Sequence, residues 1–83
     1  MTDIPLVAVI VVNWNGLADT ESCLRSVLAS DYPRLHVLVV DNGSQGDDVA
    51  VLRRRFGDRV EVVEAGRNLG YAGACNLGMA LAL

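Results

Sequence analysis

Three short polar segments contain the residues of this chain that could carry chemistry. "NWNG" covers residues 13–16, "DNGS" covers 41–44 and "GRNLG" covers 66–70. Amide, carboxylate and hydroxyl groups bind ligands through hydrogen bonds, and glycines allow close approach to the backbone. The same residue types are standard turn formers, so a plain turn is the alternative for any one segment. Their role therefore depends on the elements that position them.

Each polar segment follows a hydrophobic run that predicts a β-strand. Val7 to Val12 is β-branched and continuous apart from Ala8, and Val37 to Val40 forms the second run. Continuous apolar character is typical of strands buried on both faces, as in parallel sheets. Val60 to Val63 alternates less cleanly and predicts a third, more peripheral strand.

Helices are predicted after each of these strands. The first begins at Asp19-Thr20-Glu21 and ends before Pro33, the second runs from Asp47-Asp48 to Gly57, and the third begins near Gly70 or Tyr71. Acidic and capping residues suit helix N-termini, and proline disfavours helical geometry in the residue before it. The predicted apolar faces are Leu24, Val27 and Leu28 in the first helix and Val49, Leu52 and Phe56 in the second. The βαβαβα order predicts an α/β fold with a parallel sheet.

The strand ends of a parallel sheet share one edge, which is where open α/β sheets bind ligands. The three polar segments are therefore expected to meet there. Asp41 ends a buried strand, so its carboxylate must be solvated, bound to a ligand, or used to cap the following helix.

Several chemistries have no support in the sequence. GxxxxGK[ST] is absent, and the turn after the first strand is "NWNGLAD" rather than GxGxxG. His36 lacks a second histidine or a cysteine at zinc-ligand spacing, and Ser44 has neither an activating histidine nor a GxSxG context.

Length and composition describe one small domain or part of a larger one. The 83 residues are 52% hydrophobic, with a net charge of −3 that gives no attraction to nucleic acid or anionic lipid. Leu69 to Leu83 is uncharged and is interpreted as a buried helix, with a helix continuing into a membrane as the alternative. Cys23 and Cys75 fit no metal spacing and are interpreted as small buried residues in a reducing cytoplasm.

Four segments together resemble the N-terminal half of family 2 glycosyltransferases, and most of all the bacterial rhamnosyltransferase-like members. They are "VAVIVVNWNG", "CLRSVL", "VLVVDNGSQGD" and "GRNLGYAGACNLGMALAL", and the resemblance covers residues 6–83. It implies an A-type, Rossmann-like fold with strand order 3-2-1. It also implies sugar transfer from a UDP- or dTDP-sugar to a cell-surface glycan or lipid-linked acceptor, by a cytoplasmic enzyme that can associate with the cytoplasmic face of the membrane.

The resemblance also implies a nucleotide-sugar site. Its residues are Asn13, Trp14, Asn15, Asp41, Asn42, Gly43, Ser44, Arg67, Asn68, Gly70 and Asn76. Asp41 would accept a hydrogen bond from the N3–H of uracil or thymine, which suits an acceptor-only carboxylate. Gly43 and Ser44 would shape the turn beneath the base. The loop at Arg67 would approach the ribose and diphosphate, supported by Asn76.

Family members carry a metal-binding acidic motif and a catalytic base in later segments. We therefore expect residues 1–83 to be one partial donor-binding domain that holds no catalytic residue or metal ligand and is inactive alone. The complete enzyme would use Mg²⁺ or Mn²⁺. The alternative is a non-catalytic nucleotide-binding or receiver-like module, in which Asp41 is a ligand or a modification site.

Two expectations follow from the family topology. Cys23 and Cys75 should lie on opposite faces of the sheet, too far apart for a disulfide. The outer edge of the first strand should be open, and Leu77, Leu81 and Leu83 should be partly exposed. An open edge beside an apolar patch predicts a dimer or larger oligomer.

Overall fold

The computed structural model describes residues 4–82. The elements are β1 (Val7–Asn13), α1 (Leu17–Leu28), β2 (Leu35–Asp41), α2 (Asp48–Phe56), β3 (Glu61–Glu64) and α3 (Gly70–Ala82). The predicted βαβαβα order is confirmed. α1 begins two residues before Asp19, and β3 begins one residue after Val60, whose N–H donates to the Phe56 carbonyl at the end of α2 instead.

The three strands form a parallel sheet in the order β1-β2-β3, which confirms the predicted arrangement. β1 pairs with β2 from Val7 opposite Leu35 to Asn13 opposite Asp41. β3 pairs with the last four residues of β2, so that Glu64 lies beside Asp41. The three strands therefore end together at one edge of the sheet.

α1 and α2 cover one face of the sheet. Val37 and Val39 of β2 pack there against Leu24, Leu52 and Phe56. Leu24 is fully buried and Val27 and Leu28 partly so, as expected of the α1 face. On α2 the buried side chains are Asp48, Val51, Leu52 and Phe56, so Val51 replaces the expected Val49. These positions follow the i, i+3, i+4, i+8 spacing of one helix face.

α3 covers the other face, against β1 and β2. Gly78 permits this close packing, because a Cβ there would lie 2.7 Å from Ile10 Cγ2 and 3.2 Å from Val40 Cγ2. Side chains alternate along strands, so odd-numbered residues of β1 and β2 face α1 and α2, and even-numbered residues face α3.

The interpretation of α3 as a buried helix is wrong. Only Ala74 and Gly78 are buried, while Met79 and Leu81 are exposed, because α3 packs on the sheet along a narrow stripe of small residues. Leu77 is half-buried, and Leu83 lies outside the described residues. No helix within residues 4–82 combines the length and apolar character needed to cross a membrane.

The two cysteines are free, as predicted. They lie on α1 and α3, which pack on opposite faces of the sheet. The prediction that both are buried is wrong, since Cys23 is exposed and Cys75 half-buried. Cys23 precedes the buried Leu24, so the helical period turns it away from the sheet.

Candidate functional site

Asn13 joins the ends of β1 and β2. Its Nδ2 donates to Asp41 Oδ1 and to Asp48 Oδ2, both at 2.9 Å, and lies 3.2 Å from Ser44 Oγ. Its Oδ1 accepts from Thr20 Oγ1 at 2.6 Å. Asn13 is only 1% exposed, so its amide is a buried hub. It connects α1 through Thr20, α2 through Asp48, and the end of β2 and the following loop through Asp41 and Ser44.

Asp41 is 4% exposed and accepts three hydrogen bonds. Its Oδ1 accepts from Asn13 Nδ2 and, at 2.6 Å, from Ser44 Oγ, and its Oδ2 accepts from the Ser44 backbone N–H at 2.9 Å. A carboxylate oxygen can accept two hydrogen bonds. Asp41 Oδ2 therefore has acceptor capacity for one further donor.

The loops after β1 and β2 hold each other through Asn15. Its backbone N–H donates to Ser44 Oγ, and its Oδ1 accepts from the Gln45 backbone N–H, both at 2.9 Å. Asn15 has a φ of 51°, a left-handed conformation that asparagine tolerates better than most residues. The "NWNG" and "DNGS" segments are therefore one connected unit.

Asn42 connects β2 to the start of α3. Its Nδ2 lies 3.0 Å from Asn68 Oδ1 and 3.3 Å from the Gly70 carbonyl oxygen, and its Oδ1 accepts from the Leu69 N–H at 2.8 Å. Asn68 Oδ1 also accepts from the Gly70 N–H at 2.8 Å. These bonds fix the first turn of α3 against the sheet edge.

Gly43 lies where the "DNGS" and "GRNLG" segments touch. Its φ is +88°, and a Cβ there would lie 2.8 Å from Arg67 C and 2.9 Å from Asn68 N. A side chain would thus be strained by the backbone and would also collide with the facing loop. All three polar segments meet at one edge, as expected.

A cleft of about 390 Å³ opens at this edge on the α3 side of the sheet. It is lined by Val12, Trp14, Asn42, Asn68, Gly70 and Tyr71. Trp14 is 54% exposed and Tyr71 76% exposed. The neighbouring Cys75, one turn along α3, raises the pKa of Tyr71 above 10.0 by hydrogen bonding to its hydroxyl and by Coulombic interaction.

The expected site residues divide into two groups. Trp14, Asn42, Asn68 and Gly70 line the cleft, whereas Asn13, Asn15, Asp41 and Ser44 form the hydrogen-bonded network beside it. Gly43 lies between the two groups. Arg67 and Asn76 are exposed and do not line the cleft, so their roles stay predictions.

Three residues of this region, Thr20, Asp48 and Tyr71, were not predicted from the sequence to belong to the site. Thr20 and Asp48 suit the starts of helices, yet both direct their side chains to Asn13. The sequence gives no signal that separates this use from capping. The sequence predicts Tyr71 only as a possible first residue of a helix. Its one signal is that an aromatic residue follows the glycine that ends a polar loop.

Among residues 4–82, no group of three or more histidine, cysteine, aspartate or glutamate side chains could hold a metal ion. The described residues therefore do not fit a metal centre of their own.

The fold and the cleft define an α/β protein with a cleft at the carboxyl edge of a parallel sheet, the edge where open α/β sheets bind ligands. Residues 8–83 match the family described as Glycosyl transferase family 2. The match covers most of the chain, which therefore belongs to glycosyl transferase family 2.

Individual relatives agree with this assignment. The chain is 35% identical over 81 residues to glycosyltransferase AglE of Haloferax volcanii, a match of 92% of this chain and 26% of that protein. It is 26% identical over 81 residues to an uncharacterised glycosyltransferase of Haemophilus influenzae, a match of 95% of this chain and 25% of that protein. The chain thus spans about a quarter of the length of these relatives.

A solved structure shares the fold. It is the mannosyltransferase PcManGT from Pyrobaculum calidifontis, in complex with GDP-Man and Mn²⁺. The TM-score is 0.87 at 31% sequence identity, and the match covers 99% of this chain and 26% of the other. The expected A-type glycosyltransferase fold is confirmed.

Proposed function

We propose that this chain is the donor-nucleotide-binding portion of a glycosyltransferase. The enzyme would transfer a sugar from a nucleoside-diphosphate donor to a cell-surface glycan or lipid-linked acceptor. The observation that carries this proposal is the cleft at the carboxyl edge of the sheet, lined by two exposed aromatic rings, by the buried amide of Asn42 and by the exposed amide of Asn68. Clefts of this size suit small-molecule ligands.

Base selection is assigned to Asp41. The Asp41 carboxylate lies in the network beside the cleft and does not line it. The proposal therefore requires the ring N–H of the base to reach over the end of β2 to Asp41 Oδ2, which retains one acceptor position. An acceptor-only group favours bases that present a ring N–H, which are uracil, thymine and guanine, over cytosine and adenine. We propose a UDP- or dTDP-linked sugar, with rhamnose or another hexose as the transferred group. The GDP-Man bound to the similar mannosyltransferase contains a base of the same donor class.

The diphosphate is assigned to the start of α3. The first-turn N–H groups of a helix lack intrahelical partners and favour anions. Asn42 and Asn68 hold this turn beside the cleft, and Arg67 belongs to the same loop. In this proposal Asn76 supports the wall from further along α3.

The proposed enzyme uses Mg²⁺ or Mn²⁺, in line with the Mn²⁺ in the similar mannosyltransferase. Residues 4–82 themselves hold no suitable group of metal ligands. We propose that the 83 residues are inactive alone and that the enzyme acts in the cytoplasm or at the cytoplasmic membrane face. The resemblance to enzymes of cell-surface glycan synthesis supports this location.

We also propose that the 83-residue chain self-associates. Within residues 4–82, β1 pairs with β2 alone, which leaves its outer side as an edge. The exposed large apolar residues outside the cleft lie at the start of β1 and the end of α3: Ile4, Leu6, Val7, Met79 and Leu81. An unpaired strand edge beside apolar side chains favours association with a second copy.

Calorimetric titration of the chain with UDP, dTDP, GDP, CDP and ADP tests the donor site. We expect the first three to bind at least about tenfold more tightly than CDP and ADP. A base that places a ring acceptor opposite the Asp41 carboxylate leaves this buried acceptor without a donor, which costs about 1–3 kcal/mol. A difference of about 1.4 kcal/mol in binding free energy corresponds to a tenfold change in affinity. Equal affinity for all five would contradict the role of Asp41, and no binding at millimolar concentration would contradict the proposed function.

A further inference from the structure

We propose that Tyr71 is a ligand-contacting residue that, together with Trp14, holds the base of the donor nucleotide between two aromatic side chains. This inference rests on the proposed function and adds a residue and a mode of contact to the cleft.

The exposure of the four aromatic side chains carries the inference. Phe56, the last residue of α2, is buried in the core, and Tyr32 is partly buried with its hydroxyl donating to the Pro5 carbonyl. Trp14 and Tyr71 are instead 54% and 76% exposed, and both line the same cleft. Two large aromatic rings that are exposed to solvent at the same cleft indicate a surface that a bound ligand covers.

Both aromatic residues stand on fixed backbone. Trp14 lies between Asn13 and Asn15, whose hydrogen bonds tie the β1 loop to β2. Tyr71 lies in the first turn of α3, which Asn42 connects to the end of β2. The two rings therefore enter the cleft from separate elements that need little ordering when a ligand binds.

The chemistry of the cleft favours a planar aromatic ligand. Val12 gives it an apolar surface, and the amides of Asn42 and Asn68 supply polar groups nearby. Every nucleobase has a π-face that stacks on aromatic side chains, and this contact is tolerant of base identity. Tyr71 should therefore add affinity for all nucleotides, while base selection comes from hydrogen bonds.

The chain contains its own reporter, because Trp14 is its only tryptophan. Tryptophan emission is followed while UDP, GDP or uridine is added to the wild-type chain and to Tyr71→Phe and Tyr71→Ala. Tyr71→Phe should bind within about twofold of wild type, since it keeps the ring. Tyr71→Ala should weaken UDP, GDP and uridine alike by about 5- to 150-fold, the range measured for removing one stacking ring. Tyr32→Phe is the matched control and should bind as wild type.

The outcomes separate this inference from the proposed function. Tyr71 is exposed, so Tyr71→Ala should keep the wild-type unfolding midpoint, which is measured in parallel. If wild type binds UDP and Tyr71→Ala binds it equally well, the inference is overturned and the proposed function stands. A loss seen for a UDP-sugar but not for UDP or uridine would assign Tyr71 to the sugar and would also overturn it. No nucleotide response in wild type, by emission or calorimetry, would overturn both.

Discussion

Asp41 and Asn42 are consecutive residues whose side chains organise opposite faces of the sheet. The Asp41 carboxylate accepts from Asn13 and Ser44 on the face covered by α1 and α2. The Asn42 amide pairs with Asn68 and its neighbours on the face covered by α3. Because strand side chains alternate, one dipeptide at the end of β2 fixes both the β1 loop and the start of α3.

Replacing the buried hub Asn13 should destabilise the chain. Asn13→Ala would remove the amide donor of two buried carboxylates, Asp41 and Asp48, and the acceptor of Thr20. We expect the free energy of unfolding to fall by about 2–4 kcal/mol, because buried polar groups would lose their partners. Urea denaturation measures the change. Asn76→Ala, an exposed position on α3, is the matched control and should change stability by less than about 0.5 kcal/mol. Equal effects of the two variants would contradict the hub.

The contact between the "DNGS" and "GRNLG" segments can be isolated with two glycines. Gly43 and Gly66 both have left-handed φ angles, +88° and +83°. A Cβ at Gly43 would collide with the backbone of Arg67 and Asn68, whereas one at Gly66 would meet nothing within 4 Å. Both alanine variants incur the backbone penalty of about 1–2 kcal/mol. Gly43→Ala should cost about 1–3 kcal/mol more. Similar unfolding midpoints for the two variants would show that the fold does not require close contact between Gly43 and the backbone of the facing loop.

The Tyr71 hydroxyl should titrate above its ordinary range. Cys75 raises the pKa of Tyr71 from 10.0, so the neutral phenol is favoured in the folded chain. The stabilisation of the folded chain that comes from this raised pKa is fully present below pH 10.0, and it is lost as the pH rises through the pKa of Tyr71 in the folded chain. In a Tyr32→Phe background, absorbance of the tyrosinate reports Tyr71 alone. Cys75→Ala should lower the midpoint toward 10.0, and an unchanged midpoint would show that Cys75 is not the cause.

Self-association should depend on the β1 edge or on α3. We expect a dimer or larger oligomer by light scattering at roughly 100 μM, since micromolar association needs only about 8 kcal/mol. Val7→Lys tests the strand edge and Leu81→Lys tests the end of α3, because charge opposes pairing at both. Ala50→Lys, exposed on α2, is the control and should leave the oligomer intact. A monodisperse wild-type monomer would refute the proposal.

The sequence predicted the elements and the edge where the polar segments meet. Continuous apolar runs mark buried strands whatever surrounds them, and parallel strands end together. It did not predict that Thr20 and Asp48 bond to Asn13, since the rotation of a helix on the sheet decides which side chains reach the edge. The exposure of Cys23 has the same origin. That Asp41 and Asn42 point to opposite faces of the sheet could have been predicted from the alternation of side chains along a strand.

The most direct test of a nucleotide site at this edge is a ¹H–¹⁵N correlation spectrum of the chain titrated with UDP and GDP. We expect shift changes at the Trp14 indole N–H and at the Asn42, Asn68 and Tyr71 signals, and no change at the exposed arginines at 53–55 on α2. Changes confined to those arginines would mean phosphate binding at the charged surface of α2, on the opposite face of the sheet from α3. That result, or no change at millimolar nucleotide, would contradict a nucleotide site in the cleft.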